Sequence, residues 1–103
     1  MTFNKGEYGS VLRVNLDTDI SAGTSLTVYL EPQRGDEKTF TTNVVVGSSN
    51  VTVDDEGFLA NQYLEYTLQD GDLDQAGQWR ARGSVIVAGI LMKSDYVKFT
   101  VLP

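Results

Sequence analysis

The feature that most constrains this chain is a period of two in its apolar residues, interrupted every ~8–12 residues by turn-forming clusters. In "SLTVYLEP" Leu26, Val28 and Leu30 fall on one side and Thr27, Tyr29 and Glu31 on the other. Successive side chains of a strand point to opposite faces, so this is the pattern of a strand with one buried side. The same reading predicts strands near 10–16, 25–31, 38–46, 50–53, 62–69, 78–87 and 95–102. Between them stand "DTDISAGTS", "QRGDEK", "GSSN" and "DDEG", built from residues that tolerate positive φ or bond their own backbone. Only "DEGFLANQ" could support a turn or two of helix, because β-branched residues dominate elsewhere. The expected class is all-β, with about seven short strands spaced as in a sandwich or small barrel.

At 103 residues there is length for one core, so residues 1–103 are expected to form a single domain held by packing alone, without any cysteine. The formal charge is −6, and the basic residues are dispersed singly or as the pair Arg80 and Arg82. With no cationic stripe to follow phosphates, nucleic acid is not an expected partner. The opening "MTFNKGEYGSVLRVNL" has no apolar stretch of signal-peptide length, and no run elsewhere is long enough for a helical span. Neither a cleaved export signal nor a membrane partner is expected.

The stretch "GDLDQAGQWRARGSVIVAG" carries two competing patterns. Asp70, Asp72 and Asp74 alternate like the first ligands of a calcium loop. Such a loop needs glycine at its sixth position and a bidentate glutamate at its twelfth. Counted from Asp70, those positions hold Gln75 and Ala81, so no metal site is expected and Asp72 or Asp74 is read as a turn cap. The second pattern is the corner of an immunoglobulin-type sandwich: an acid, a glycine, a buried aromatic and then an inward position. Asp74, Gly77, Trp79 and Ala81 stand in that order. Two departures are Trp79 in place of the usual tyrosine and Ala81 where many such domains have cysteine. Trp79 is therefore expected to act mainly by packing, with an acceptor for its indole N–H.

Lys5-Gly6-Glu7, Asp19-Ile20-Ser21, the strand end from Glu31 to Gly35 and the corner from Asp72 to Trp79 occur in one order along nearly the whole chain. In that order the chain resembles small bacteriophage virion proteins and the N-terminal immunoglobulin-like domain of phage baseplate upper proteins. The resemblance implies an immunoglobulin-like β-sandwich, made in the host cytoplasm and located in the virion. Its implied partners are other virion proteins of the tail, baseplate or capsid, contacted by multiple copies in a symmetric assembly.

The residues themselves show little catalytic equipment. Histidine and cysteine are both absent, which removes the commonest general base near neutral pH and the best transition-metal ligands. A two-carboxylate glycosidase is formally possible with 14 acids, yet a domain of this size leaves little room for a substrate cleft. Gly6 and Gly9 are not followed by the helical pattern of a phosphate loop. The chain is thus expected to be no enzyme, to carry no cofactor, and to act through its surface. The candidate contact is Ile90, Leu91 and Met92 in "AGILMKS", read either as a buried strand with Ala88-Gly89 as a bulge, or as a hairpin tip with apolar residues exposed. Tyr8, Tyr29 and Tyr63 are secondary candidates. The resemblance favours a tail, baseplate or fibre-attachment component, with a head decoration protein or a carbohydrate-binding module as alternatives.

Overall fold

Strand β3 (Thr24–Glu31) shows how the alternation becomes structure: Val28 and Leu30 are fully buried, while Thr27, Tyr29 and Glu31 lie half-covered on the opposite face. The computed structural model describes residues 1–103 and contains no helix. Its other strands are β1 (Thr2–Asn4), β2 (Val11–Asn15), β4 (Lys38–Phe40), β5 (Val44–Val46), β6 (Val51–Val53), β7 (Glu56–Phe58), β8 (Tyr63–Thr67), β9 (Gly77–Val87), β10 (Ile90–Lys93) and β11 (Val97–Leu102).

These form an all-β sandwich. The larger sheet runs β1-β11-β9-β3-β4, with β10 also pairing β9; the smaller runs β2-β8-β5. Gly83 of β9 lies so close to Leu64 of β8 and Val14 of β2 that an added Cβ would stand 2.8 Å and 3.6 Å from their side chains. The sheets therefore meet across the β9 glycine. A shortest dimension of 21 Å accommodates two such layers at the usual separation of about 10 Å. Sixteen buried residues drawn from both sheets make one core, including Leu12, Val28, Leu64, Tyr66, Trp79 and Phe99.

The count of eleven exceeds the expected seven for identifiable reasons. The single strand expected over 38–46 is two: β4 pairs β3 in the larger sheet and β5 pairs β8 in the smaller. The chain crosses between layers at Thr41 to Asn43, where Asn43 takes φ 60°. β1 pairs β11 in parallel, across nearly the full length of the sequence. The segment "DEGFLANQ" begins as β7, closing a hairpin with β6 through Asp54 and Asp55, both at positive φ, so no helix forms there. That hairpin covers Tyr63, which is buried, with Phe58 packed 5.4 Å from its ring.

β9 organises the larger sheet, since it pairs β3 on one side and both β10 and β11 on the other. Lys93 opposes Ser84 but Val97 opposes Ala81, so Ser94, Asp95 and Tyr96 occupy the interval that Arg82 and Gly83 span. This extra residue is a β-bulge, pinned by the Gly83 N–H donating to Ser94 Oγ at 2.8 Å.

Candidate contact surface

Three of the four stretches behind the phage resemblance meet at one end of the sandwich. The Gly6 N–H donates to the Leu73 carbonyl at 2.9 Å. Gln75 bridges to the backbone of Arg34 in both directions, at 3.2 and 2.7 Å. Gln33 Oε1 accepts from the Gln78 N–H at 2.9 Å. Gly77 permits this closeness: it sits at φ 131°, and a Cβ there would stand 2.5 Å from Gln33 Oε1. Trp79 is 2 % exposed, and its indole N–H donates to the Gln75 carbonyl at 3.1 Å. Asp74 is exposed and pairs with Lys38 Nζ at 3.0 Å, and that ammonium lies 5.6 Å from the Trp79 ring centroid.

The three aspartates face different partners. Asp70 is exposed, Asp74 holds Lys38, and Asp72 turns inward. The Asp72 carboxylate accepts from the Gln69 N–H at 2.8 Å, capping its turn, and from the Tyr66 hydroxyl. Burial, together with that carboxylate, pushes the Tyr66 phenol well above its ordinary range. Sequence reasoning missed Tyr66 as the hydroxyl of this corner. Its inward position in the alternation Leu64-Tyr66-Leu68 was the available signal.

The other candidate region is the β9–β10 hairpin. Val87 pairs Ile90 directly, so Ala88-Gly89 is a two-residue turn, with φ 52° and 79°, in place of a bulge in one continuous strand. The structure separates the three apolar candidates. Ile90 is 65 % and Leu91 57 % exposed, whereas Met92 is half-buried, packs on the core and opposes Val85. Among the tyrosines, Tyr8 is exposed, Tyr29 half-buried and Tyr63 buried.

The outer face of the larger sheet carries an alternating ladder of rings and cations. Arg80 lies 3.9 Å from the Tyr96 ring centroid; Arg82 lies 4.7 Å from that of Tyr96 and 5.3 Å from that of Tyr29. Guanidinium groups thus occupy ring surface that a sugar would stack on. The three clefts of the surface enclose about 200, 290 and 200 Å³, below the ~300–1,000 Å³ of typical ligand pockets. No protein-family model matches the chain, and no curated protein or solved structure matches it either.

Proposed function

We propose that this chain is a non-enzymatic structural module of a bacteriophage particle, acting as a tail, baseplate or fibre-attachment component through an apolar contact at the β9–β10 tip. The virion assignment rests on the sequence resemblance. The observation that carries the contact is the exposure of both Ile90 and Leu91, on opposite faces of β10 just after its two-residue turn. An isolated exposed leucine needs no explanation, but two large apolar side chains exposed at the end of one hairpin favour a partner. Symmetric repetition in a particle makes many such weak contacts cooperate.

Immunogold labelling of virions with antibodies to the purified protein tests the placement. Labelled tails support the reading, and labelled capsids would favour head decoration. Mass spectrometry of separated heads and tails gives the same division, while binding on a glycan array would favour host attachment. At the residue level, Leu91→Glu and Ile90→Glu are expected to leave the domain folded and to abolish its incorporation. Met92→Glu is expected to destabilise the domain itself, because it brings a carboxylate against the core. Normal incorporation of both tip variants would move the contact elsewhere.

A further inference from the structure

We propose that Asp70 is a site of spontaneous covalent modification: its side-chain carboxyl and the Gly71 nitrogen close a succinimide that reopens to isoaspartate and loosens the Tyr66–Asp72 corner. The reaction needs an aspartyl carboxyl free to swing back onto the following nitrogen, and a following residue whose side chain does not obstruct the approach. Asp70-Gly71 is the one place in the chain where aspartate or asparagine precedes glycine. Every other aspartate and asparagine is followed by a residue that carries a side chain. Several acids of this chain lack a partner, and the neighbouring glycine distinguishes Asp70 from the rest of them.

The fold leaves the reacting groups open. Asp70 and Gly71 are both exposed at the centre of a four-residue turn, closed by the Asp72 N–H donating to the Gln69 carbonyl at 3.1 Å. Gly71 takes φ 89° at the third position of that turn, where positive φ calls for glycine. The Asp70 carboxylate makes no ion pair and no hydrogen bond within the chain, and the Gly71 N–H donates to no acceptor. A Cβ built on Gly71 would meet nothing within 4 Å, so neither the attack nor the entry of water is obstructed. In the first step the Gly71 nitrogen bonds to Asp70 Cγ and loses its proton, while the protonated carboxyl gives up its hydroxyl as water. Water then adds back to the ring. Addition at Cγ restores aspartate; addition at the main-chain carbonyl of Asp70 leaves Gly71 joined through Cγ and turns the old carbonyl into a free carboxylate. The mass is unchanged, and the main chain is longer by one carbon.

The loop is held on both sides of this turn. Upstream, the Leu68 N–H donates to the Ser10 carbonyl at 2.9 Å, and the Leu68 carbonyl accepts from the Gly9 N–H at 2.8 Å. Downstream, Lys38 Nζ donates to the Gly71 and Asp72 carbonyls at 3.4 and 2.8 Å, and the Leu73 carbonyl accepts from the Gly6 N–H. The added carbon therefore lengthens the interval between Gln69 and Asp72. That is the interval the Asp72 carboxylate spans when it accepts from the Gln69 N–H at 2.8 Å. Conversion is expected to draw this carboxylate away from the Gln69 N–H and the Tyr66 hydroxyl, leaving buried polar groups unpaired. The reaction requires neither the β9–β10 tip nor a place in a virion.

The test is to hold the purified full chain at physiological temperature, digest it, and map isoaspartate by mass spectrometry with enzymatic methyl labelling. Isoaspartate is expected at position 70 and at no other, and to form faster in mildly acidic than in alkaline buffer, because the hydroxyl leaves only from the protonated carboxyl. Asp70→Glu is expected to abolish it, since the larger ring closes far more slowly. Asp70→Asn is expected to convert faster than wild type and to accelerate in alkali, because it closes the same ring by expelling ammonia. The converted form, separated by ion exchange, is expected to unfold at a lower urea midpoint, a loss that shrinks in a Tyr66→Phe chain. A folded chain without isoaspartate at position 70, after the same stretch excised as a peptide has converted, would overturn the site, as would equal conversion at other aspartates. An unchanged midpoint for the converted form, or an equal loss in the Tyr66→Phe chain, would overturn the effect on the corner.

Discussion

Removing the Trp79 side chain is expected to cost about 3–5 kcal/mol, read as a lowered midpoint in chemical denaturation. The ring packs against Phe99 at 6.0 Å and has its indole N–H satisfied, so truncation leaves both a cavity and an unanswered Gln75 carbonyl. This much was legible in the sequence, because Gly77 and the following alternation mark a corner with an inward aromatic. Tyr66 and Asp72 were not. Alternation places Tyr66 inward, but a bond from the middle of a strand to a loop six residues on depends on how the loop folds back. Tyr66→Phe strands the buried Asp72 carboxylate on one N–H and is expected to cost about 1–3 kcal/mol near neutral pH. The pair also makes stability depend on alkali. The folded state holds the phenolic proton more tightly than the unfolded chain, whose ordinary value is 10.0. The contribution is therefore fully present below about pH 10 and is lost as pH rises further, when the unfolded phenol ionises first. Urea unfolding across that range should show a decline that Tyr66→Phe makes shallower.

Among the elements, the turns were harder to read than the strands. In "KTFTTNVVV" the inward residues Phe40, Val44 and Val46 keep one parity straight through the crossing between sheets. An unbroken period of two therefore conceals where β4 ends and β5 begins. Only Asn43, suited to positive φ, marks the place. The β9–β10 hairpin was ambiguous for a related reason. Its first turn residue is alanine, although a turn with both central residues at positive φ favours Asn-Gly. Ala88 at φ 52° carries strain that asparagine tolerates better. Ala88→Asn is expected to stabilise the domain by up to about 1 kcal/mol, seen as a higher thermal midpoint with unchanged circular dichroism. A lower midpoint would show that the alanine makes a contact worth more than its strain. The parallel partner of β1 was beyond local pattern altogether, since nothing in three residues specifies a neighbour at the far end of the sequence.

At the scale of the molecule, stability is unevenly distributed. The sixteen-residue core joins both sheets, so Trp79 fluorescence and far-UV circular dichroism are expected to report one coincident transition. Phe58 and Tyr63 are buried outside that core, beneath the β6–β7 hairpin. Gly47 makes their packing possible, since a Cβ there would stand 2.0 Å from the Tyr63 ring. The hairpin thus rests on a small satellite cluster, and amide exchange in β6 and β7 is expected to be faster than in β9, through openings that leave the sandwich intact. Equal protection in both would show the hairpin to be part of the main cooperative unit. β1 and β11 lie side by side in the same direction, with Thr2 opposite Thr100 and Asn4 opposite Leu102. Tension applied through residues 1 and 103 therefore pulls these two strands past each other lengthwise. Their hydrogen bonds bear such a load together, whereas strands peeled apart from one end lose them singly. Loaded through these two strands, the sandwich is expected to resist force along the strand direction until the β1–β11 bonds give way together.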